Sequence, residues 1–323
     1  MRRRDFIAGL AGAAVWPPAA LAQQPPPAIG YLSSLTQAFS VRLDVGLRRG
    51  LSDMGYVEGQ NISIEQRWVT DRYDVLPAMA ADLVQRRVAA IIAIGPPAVL
   101  AAKAATQTIP IVFVTGADPV KSGYVSSFNK PGANITGIWM VLIDLTKKRL
   151  QLLHDLVPTA ESIALLVNPT GPVAVPQIRD AEAAAHDLGV RLTVLNAATE
   201  NDLDQVFANL AQQHADALFV GADPLFASRC DHIVALAARH TIPAIYEFRE
   251  FVEAGGLISY GTALRDGFYK GGNYVAHILK GTRPSDLPVE QINKLELVIN
   301  AKTAKTLGLA ADRLIAVADE VID

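Results

Sequence analysis

Two aspartates in this chain each precede a proline at the end of an apolar run: Asp118 in IVFVTGADPV and Asp223 in ALFVGADPLF. A following proline biases the aspartate away from helical backbone, so each carboxylate can stand out from the end of a strand. There it can pair with a ligand ammonium, or it can cap the segment that follows. Glu247 lies between Tyr246 and Phe248 in YEFREF. Aromatic rings beside a carboxylate can frame an amino acid or an aromatic ring; the alternative is alternating packing at a strand edge. Ser33-Ser34, Gly95-Pro96-Pro97, Thr115 and Asn168 are small or polar residues that also follow apolar runs. Such residues near a helix start suit a carboxylate, because free backbone N–H groups and the helix dipole favour an anion. Pro97 fits a first helical turn, where its missing N–H costs nothing. All of these are also ordinary loop and cap residues. Trp139 reads as a cleft wall or as hinge packing, and Phe39 as a cleft lid or as a helix-start contact.

Catalytic signatures are absent. The chain has no Gly-x-Ser-x-Gly, His-Glu-x-x-His, P-loop or Gly-x-Gly-x-x-Gly. The six histidines fall within or beside helical stretches, and one cysteine, Cys230, allows neither an internal disulfide nor a thiolate cluster. We expect no catalytic residue, no metal and no cofactor. A net charge of −3 without a basic run in the body disfavours nucleic acid as a partner.

The elements that would position these residues alternate in kind. Runs of four to six apolar residues begin at 28, 89 and 109 and are separated by helical stretches at 42–54, 76–87 and 98–106. This βαβα order predicts a doubly wound parallel α/β sheet, covered on both faces. The order recurs with strands at 162–169, 191–197, 216–224 and 242–248 and helices at 177–188, 203–214 and 228–240. Ile29 and Ile163, and Gly55 and Gly189, are 134 residues apart; the two Thr-Ile-Pro strings begin 133 apart. The steady offset marks a duplicated architecture. The two Gly-Ala-Asp-Pro strings lie 105 apart, so they fall one strand out of step. We expect lobe one over 28–138 with about 263–283, lobe two over 139–262, a crossover at 135–139, and a strand and helix in 284–323 whose lobe is unassigned. In such sheets ligands bind outside the carboxyl ends of the strands. Two facing lobes would therefore gather the residues above at one cleft.

The first 22 residues read differently. Three arginines, a short apolar run and Ala20-Leu21-Ala22 have the layout of a secretory signal. Arg3-Arg4-Asp5-Phe6-Ile7 is similar to a twin-arginine export motif, with an ordinary Sec signal as the alternative. Removing residues 1–22 takes away three arginines and one aspartate and shifts the formal charge from −3 to −5. The expected product is a periplasmic protein.

Several segments together carry a resemblance: GLSDMGYVEGQNISIEQRW, AIGPPAVLAAKAATQTIPIVF, DPVKSGYVSSFNKPGANITG, EFREFVEAGGLISYG and ILKGTRPSDLPVEQINKLELVINAKTAKTLGL. They resemble the ABC-transporter substrate-binding family that includes tryptophan- and phenylalanine-binding lipoproteins, over essentially residues 28–323. The resemblance implies a type I periplasmic-binding-protein fold, two Rossmann-like lobes joined by a multi-strand hinge. It implies a monomeric, non-catalytic receptor that holds an amino acid-like or aromatic carboxylate ligand and delivers it to an ABC permease. A ligand sensor, or an enzyme on the same scaffold, would share the cleft. Two departures stand out. Gly95-Pro96-Pro97-Ala98 occupies the place of a Gly-Thr-Pro-Ala string in many relatives, so a hydroxyl is missing. No lipobox cysteine is present, which implies a free protein rather than a lipoprotein.

Overall fold

A computed structural model describes residues 26–69, 72–213 and 215–323. The export signal read over 1–22, and His214, lie outside the described residues.

The chain opens with β1 (Ala28–Ser33), α1 (Gln37–Asp53) and β2 (Ser63–Trp68). Helix α1 begins five residues before the expected start. The cause is Thr36, whose hydroxyl accepts the Phe39 N–H and caps the helix there. Next come α2 (Leu76–Gln85), β3 (Ala90–Ile94), α3 (Pro96–Ala105), β4 (Ile111–Thr115) and β5 (Ile135–Trp139). β5 is a full partner of β4 along its whole length, a buried strand rather than the expected crossover; the chain leaves this sheet only after Trp139. Gly137 makes that pairing close: a Cβ there would lie 2.1 Å from the Phe113 carbonyl oxygen.

The second half repeats the order. It runs through α4 (Thr146–Leu156), β6 (Ser162–Val167), α5 (Ala174–Leu188), β7 (Arg191–Asn196), α6 (Glu200–Gln212) and β8 (Ala217–Val220). Then follow α7 (Pro224–Ser228), α8 (Cys230–Arg239), β9 (Ala244–Tyr246), α9 (Arg249–Glu253) and β10 (Ile258–Thr262). The helix expected over 228–240 is α8, and a separate short helix, α7, precedes it, the two divided at Arg229, which leaves helical backbone geometry. The last part holds α10 (Leu264–Leu279), β11 (Glu290–Gln291), β12 (Leu295–Asn300), α11 (Ala301–Thr306), α12 (Asp312–Ile315) and β13 (Glu320–Ile322).

Among the described residues the strands form two sheets, ordered β2-β1-β3-β4-β5-β11 and β7-β6-β8-β9-β10-β12-β13. Every neighbouring pair is parallel except β10 with β12. The first five positions of each sheet match, so the duplication is visible in the topology. β4 carries the first Gly-Ala-Asp-Pro at its end, while the second follows β8, whose counterpart is β3. The two strings are therefore not equivalent.

The chain crosses between sheets three times: after β5, after β10 and after β11. Helix α10, entered from β10 of the second sheet, packs on α1 and on β3, β4 and β5 of the first. Glycines permit that helix crossing. A Cβ on Gly50 would meet the Tyr269 carbonyl oxygen at 2.1 Å, and one on Gly272 the Leu47 carbonyl oxygen at 2.3 Å. Backbone cannot yield as a side-chain tip can, so α1 and α10 would have to separate. We predict that Gly50→Ala and Gly272→Ala each lower stability by about 1–3 kcal/mol, the usual range for overpacking. Urea unfolding measures this; an unchanged midpoint would show that the crossing has slack.

Candidate functional site

The carboxyl ends of the two sheets face each other. Ile94, Gly95 and Pro96 follow β3, Val114 and Gly116 lie at the end of β4, and Met140 and Leu142 follow β5. Opposite them stand Ala222 to Pro224 after β8 and Glu247 and Phe248 after β9, while Leu264 and Phe268 on α10, which packs with the first lobe, complete the wall. They line a cavity with about 530 Å³ of atom-free space, part of it open to solvent.

The lobes touch across it. The Tyr73 hydroxyl, in a 3-10 turn after β2, donates to Asp223 Oδ1 at 2.6 Å and accepts the Leu225 N–H at 3.0 Å. The Thr36 N–H donates to Ser228 Oγ at 3.0 Å. Gly95 sits so close to Pro224 that a Cβ would lie 3.1 Å from its ring, and its φ of 83° independently favours glycine. These contacts describe a closed cleft.

Asp223 is buried. Its Oδ1 accepts from Tyr73, from Asn168 Nδ2 at 3.0 Å and from the Leu225 N–H at 3.0 Å. Burial pushes its carboxyl up to about 6, against the pull of those three donors. Burial and the adjacent Asp223 charge raise the Tyr73 phenol well above its usual range, so it remains a donor. Asn168 is fully engaged, since its Oδ1 accepts both the N–H and the hydroxyl of Thr170.

Glu247 is also buried, and its Oε2 has no hydrogen-bond partner. Burial raises its carboxyl well above the ordinary range; Arg149 opposes that, while Asp223 and Glu250 add to it. Arg149 on α4 is a fully buried cation. Its Nε donates to the Tyr260 carbonyl and its Nη2 to the Leu142 carbonyl, each at 2.8 Å. Burial lowers its pKa to about 10, which leaves it charged at neutral pH.

Of the twelve residues expected to bind ligand, the structure brings Gly95, Asp223 and Glu247 to the cavity wall. The others have different partners. Ser33 Oγ accepts the Leu35 N–H at 3.1 Å, and Thr115 Oγ1 accepts the Ala117 N–H at 3.3 Å. Ser34 Oγ accepts the Ala98 N–H at 2.9 Å. The expected anion site at the start of α3 is therefore not built: Pro96 and Pro97 carry no N–H, and the next one is spent on Ser34. Asp118 shapes its own loop, accepting the Val120 and Lys121 N–H groups at 2.9 Å, and borders an outer cavity. Trp139 stacks on Phe128 at 5.2 Å, and Tyr246 on Phe251 at 4.6 Å. Phe39 lines a separate crevice with Arg42 and Glu250. For Ser33, Ser34, Thr115 and Asp118 the cause is shared: backbone N–H groups near a strand end take the polar group first.

Sequence reasoning missed Tyr73, Arg149 and most of the apolar wall. Arg149 had a signal. Thr146, Arg149, Leu150 and Leu153 share one buried face of α4 at helical spacing, so a charge stood on the core side. Tyr73 had none, because its partners are about 150 residues away.

Two predictions follow from these geometries. Arg149→Met leaves two buried carbonyls without their donor, and we expect a loss of about 2–5 kcal/mol in equilibrium unfolding, on the order of one unsatisfied buried polar group each. The Asp223 carboxyl releases its proton near 4 in the unfolded chain and near 6 in the folded one. The folded state then holds more protons over that interval, so stability falls as pH rises from about 4 to about 6. Asp223→Asn should remove about 1 kcal/mol per pH unit of that slope, relative to the parent protein with Glu247 and Glu250 intact. Urea titrations at stepped pH measure it; parallel slopes would contradict the assignment.

Comparison with known proteins agrees with this architecture. The chain is 29% identical over 273 residues to the tyrosine-binding protein of Clostridioides difficile (strain R20291), spanning 83% of this chain and 78% of that one. A Streptococcus pneumoniae ABC domain in complex with L-Trp superposes with a TM-score of 0.81 at 23% identity, over 92% of this chain and 100% of that one. A ligand-free, open substrate-binding protein with adhesive properties from Clostridium difficile gives 0.61 at 27% identity, over 87% and 95%. Residues 40–322 match one family throughout, and the chain belongs to the ABC transporter substrate binding proteins.

Proposed function

We propose that the protein is the solute receptor of an ABC importer, working in the periplasm as a monomer and without catalysing a reaction on its solute. Its solute is small, largely apolar and of amino-acid size. One observation carries the reading: an apolar cavity lies between the carboxyl ends of two sheets whose lobes touch across it. A receptor needs this arrangement, because only a solute that contacts both lobes favours closure. The relatives named for tyrosine binding and for an L-Trp complex support an aromatic body for the solute. The layout of residues 1–22 and the chain that follows supports export: a basic, apolar leader precedes a body of net charge −5.

Calorimetry with a library of amino acids, aromatic acids and aromatic amines tests the proposal. We expect saturable binding of about one solute per chain, with the solute recovered unchanged. No binding across the library would count against a receptor, and conversion of a bound solute to product would favour an enzyme on the same scaffold.

A further inference from the structure

The side chains lining the cavity have a lopsided chemistry. Among the described residues that line it, the only polar side chains are those of Asp223 and Glu247; the rest are aliphatic, aromatic, proline or glycine. No lysine, arginine, histidine, hydroxyl or amide side chain faces the solute there. The backbone does little to correct this. The start of α3 offers Pro96 and Pro97, which have no N–H, and Ala98, whose N–H is given to Ser34. The start of α7 offers Pro224 and then Leu225, whose N–H is given to Tyr73 and Asp223. The Leu35, Gly95, Ala117 and Ala222 N–H groups are likewise donated within the protein.

A carboxylate entering this space would be desolvated against two acidic side chains, without a cationic side chain on the wall. An ammonium would meet the opposite situation. Glu247 Oε2 is buried and unpartnered, an acceptor waiting for a donor. Asp223 is the less available of the two, because its Oδ1 already holds three donors.

We propose that the cleft is built for an apolar primary amine lacking a carboxylate, an arylalkylamine rather than an amino acid, with Glu247 as the ammonium partner. This rests on the receptor reading above and narrows its solute class. Three charged or titratable groups bear on Glu247: Arg149 from α4, Asp223 after β8, whose carboxylate also accepts the Tyr73 hydroxyl, and Glu250 from α9. Arg149 favours the carboxylate; burial and the two acids favour the protonated form. The arriving ammonium tips that balance. To the extent that Glu247 is protonated beforehand, its O–H proton passes to the solvent as the carboxylate pairs with the cation, so proton release reports that pairing.

The test compares matched pairs on the whole folded protein: tyramine with tyrosine, tryptamine with tryptophan, phenethylamine with phenylalanine, and 3-phenylpropionate as the acid without an amine. We expect at least one amine to bind about tenfold or more tighter than its amino acid, with no binding of the acid. Calorimetry in buffers of different ionisation enthalpy should show proton release, reduced in Glu247→Gln together with a loss of about tenfold or more in amine affinity. Should Glu247→Gln fail to fold, the matched pairs on the parent protein still decide. Amino acids binding as tightly as their amines, or more so, would overturn the amine inference and leave the receptor intact. Silence from every pair would also overturn it, and the wider library then decides the receptor reading separately.

Discussion

The fold turns on one buried guanidinium. Arg149 holds the carbonyl of Leu142, in the first crossover between sheets, and that of Tyr260, on the strand that leads into the second. Both crossovers are thereby fixed to α4. A guanidinium this deep is costly to desolvate, and the two carbonyls and the nearby Glu247 offset part of that cost. In two of the three crossings, a change of angle between the lobes must bend segments whose ends this cation defines. The floor of the cleft, between those crossovers, inherits the same fixed reference.

Above that floor, the cleft is mostly backbone and hydrocarbon. One apolar cluster runs from the first sheet to the face of the second that α6 and α8 cover, and another lies beneath α4, α5 and β12. The polar side chains at the strand ends stiffen loops: Ser33, Ser34, Thr115 and Asp118 each accept a nearby backbone N–H. Loop shape is secured from within, and the wall presented to a solute is correspondingly smooth and apolar.

This division explains what was legible from the residues. Buried parallel strands write themselves as unbroken apolar runs, so β1, β3, β4, β6 and β8 could be read directly, and the constant offset between halves revealed the duplication. β5 was misread because Gly137 and the Gly/Pro-rich stretch before it look like a linker, whereas the glycine serves close strand pairing. Site chemistry was harder. Serine, threonine and aspartate at a strand end have the same sequence signature whether they face a ligand or their own backbone. Distance in the chain hides the rest: nothing near Tyr73 announces Asp223, and nothing near Glu247 announces Arg149.

The Tyr73 bridge to Asp223 and Leu225 bears on unloading. Hydrogen bonds that join the lobes directly lower the free energy of the shut form, so a solute spends less of its affinity on closing the protein. The same bonds must break before the solute can leave. A tightly shut carrier keeps its cargo through a slow diffusional search, and something outside the cleft has to prise the lobes apart at the end of the journey. Tyr73 would then set dwell time rather than recognition, trading quick release for fidelity of delivery.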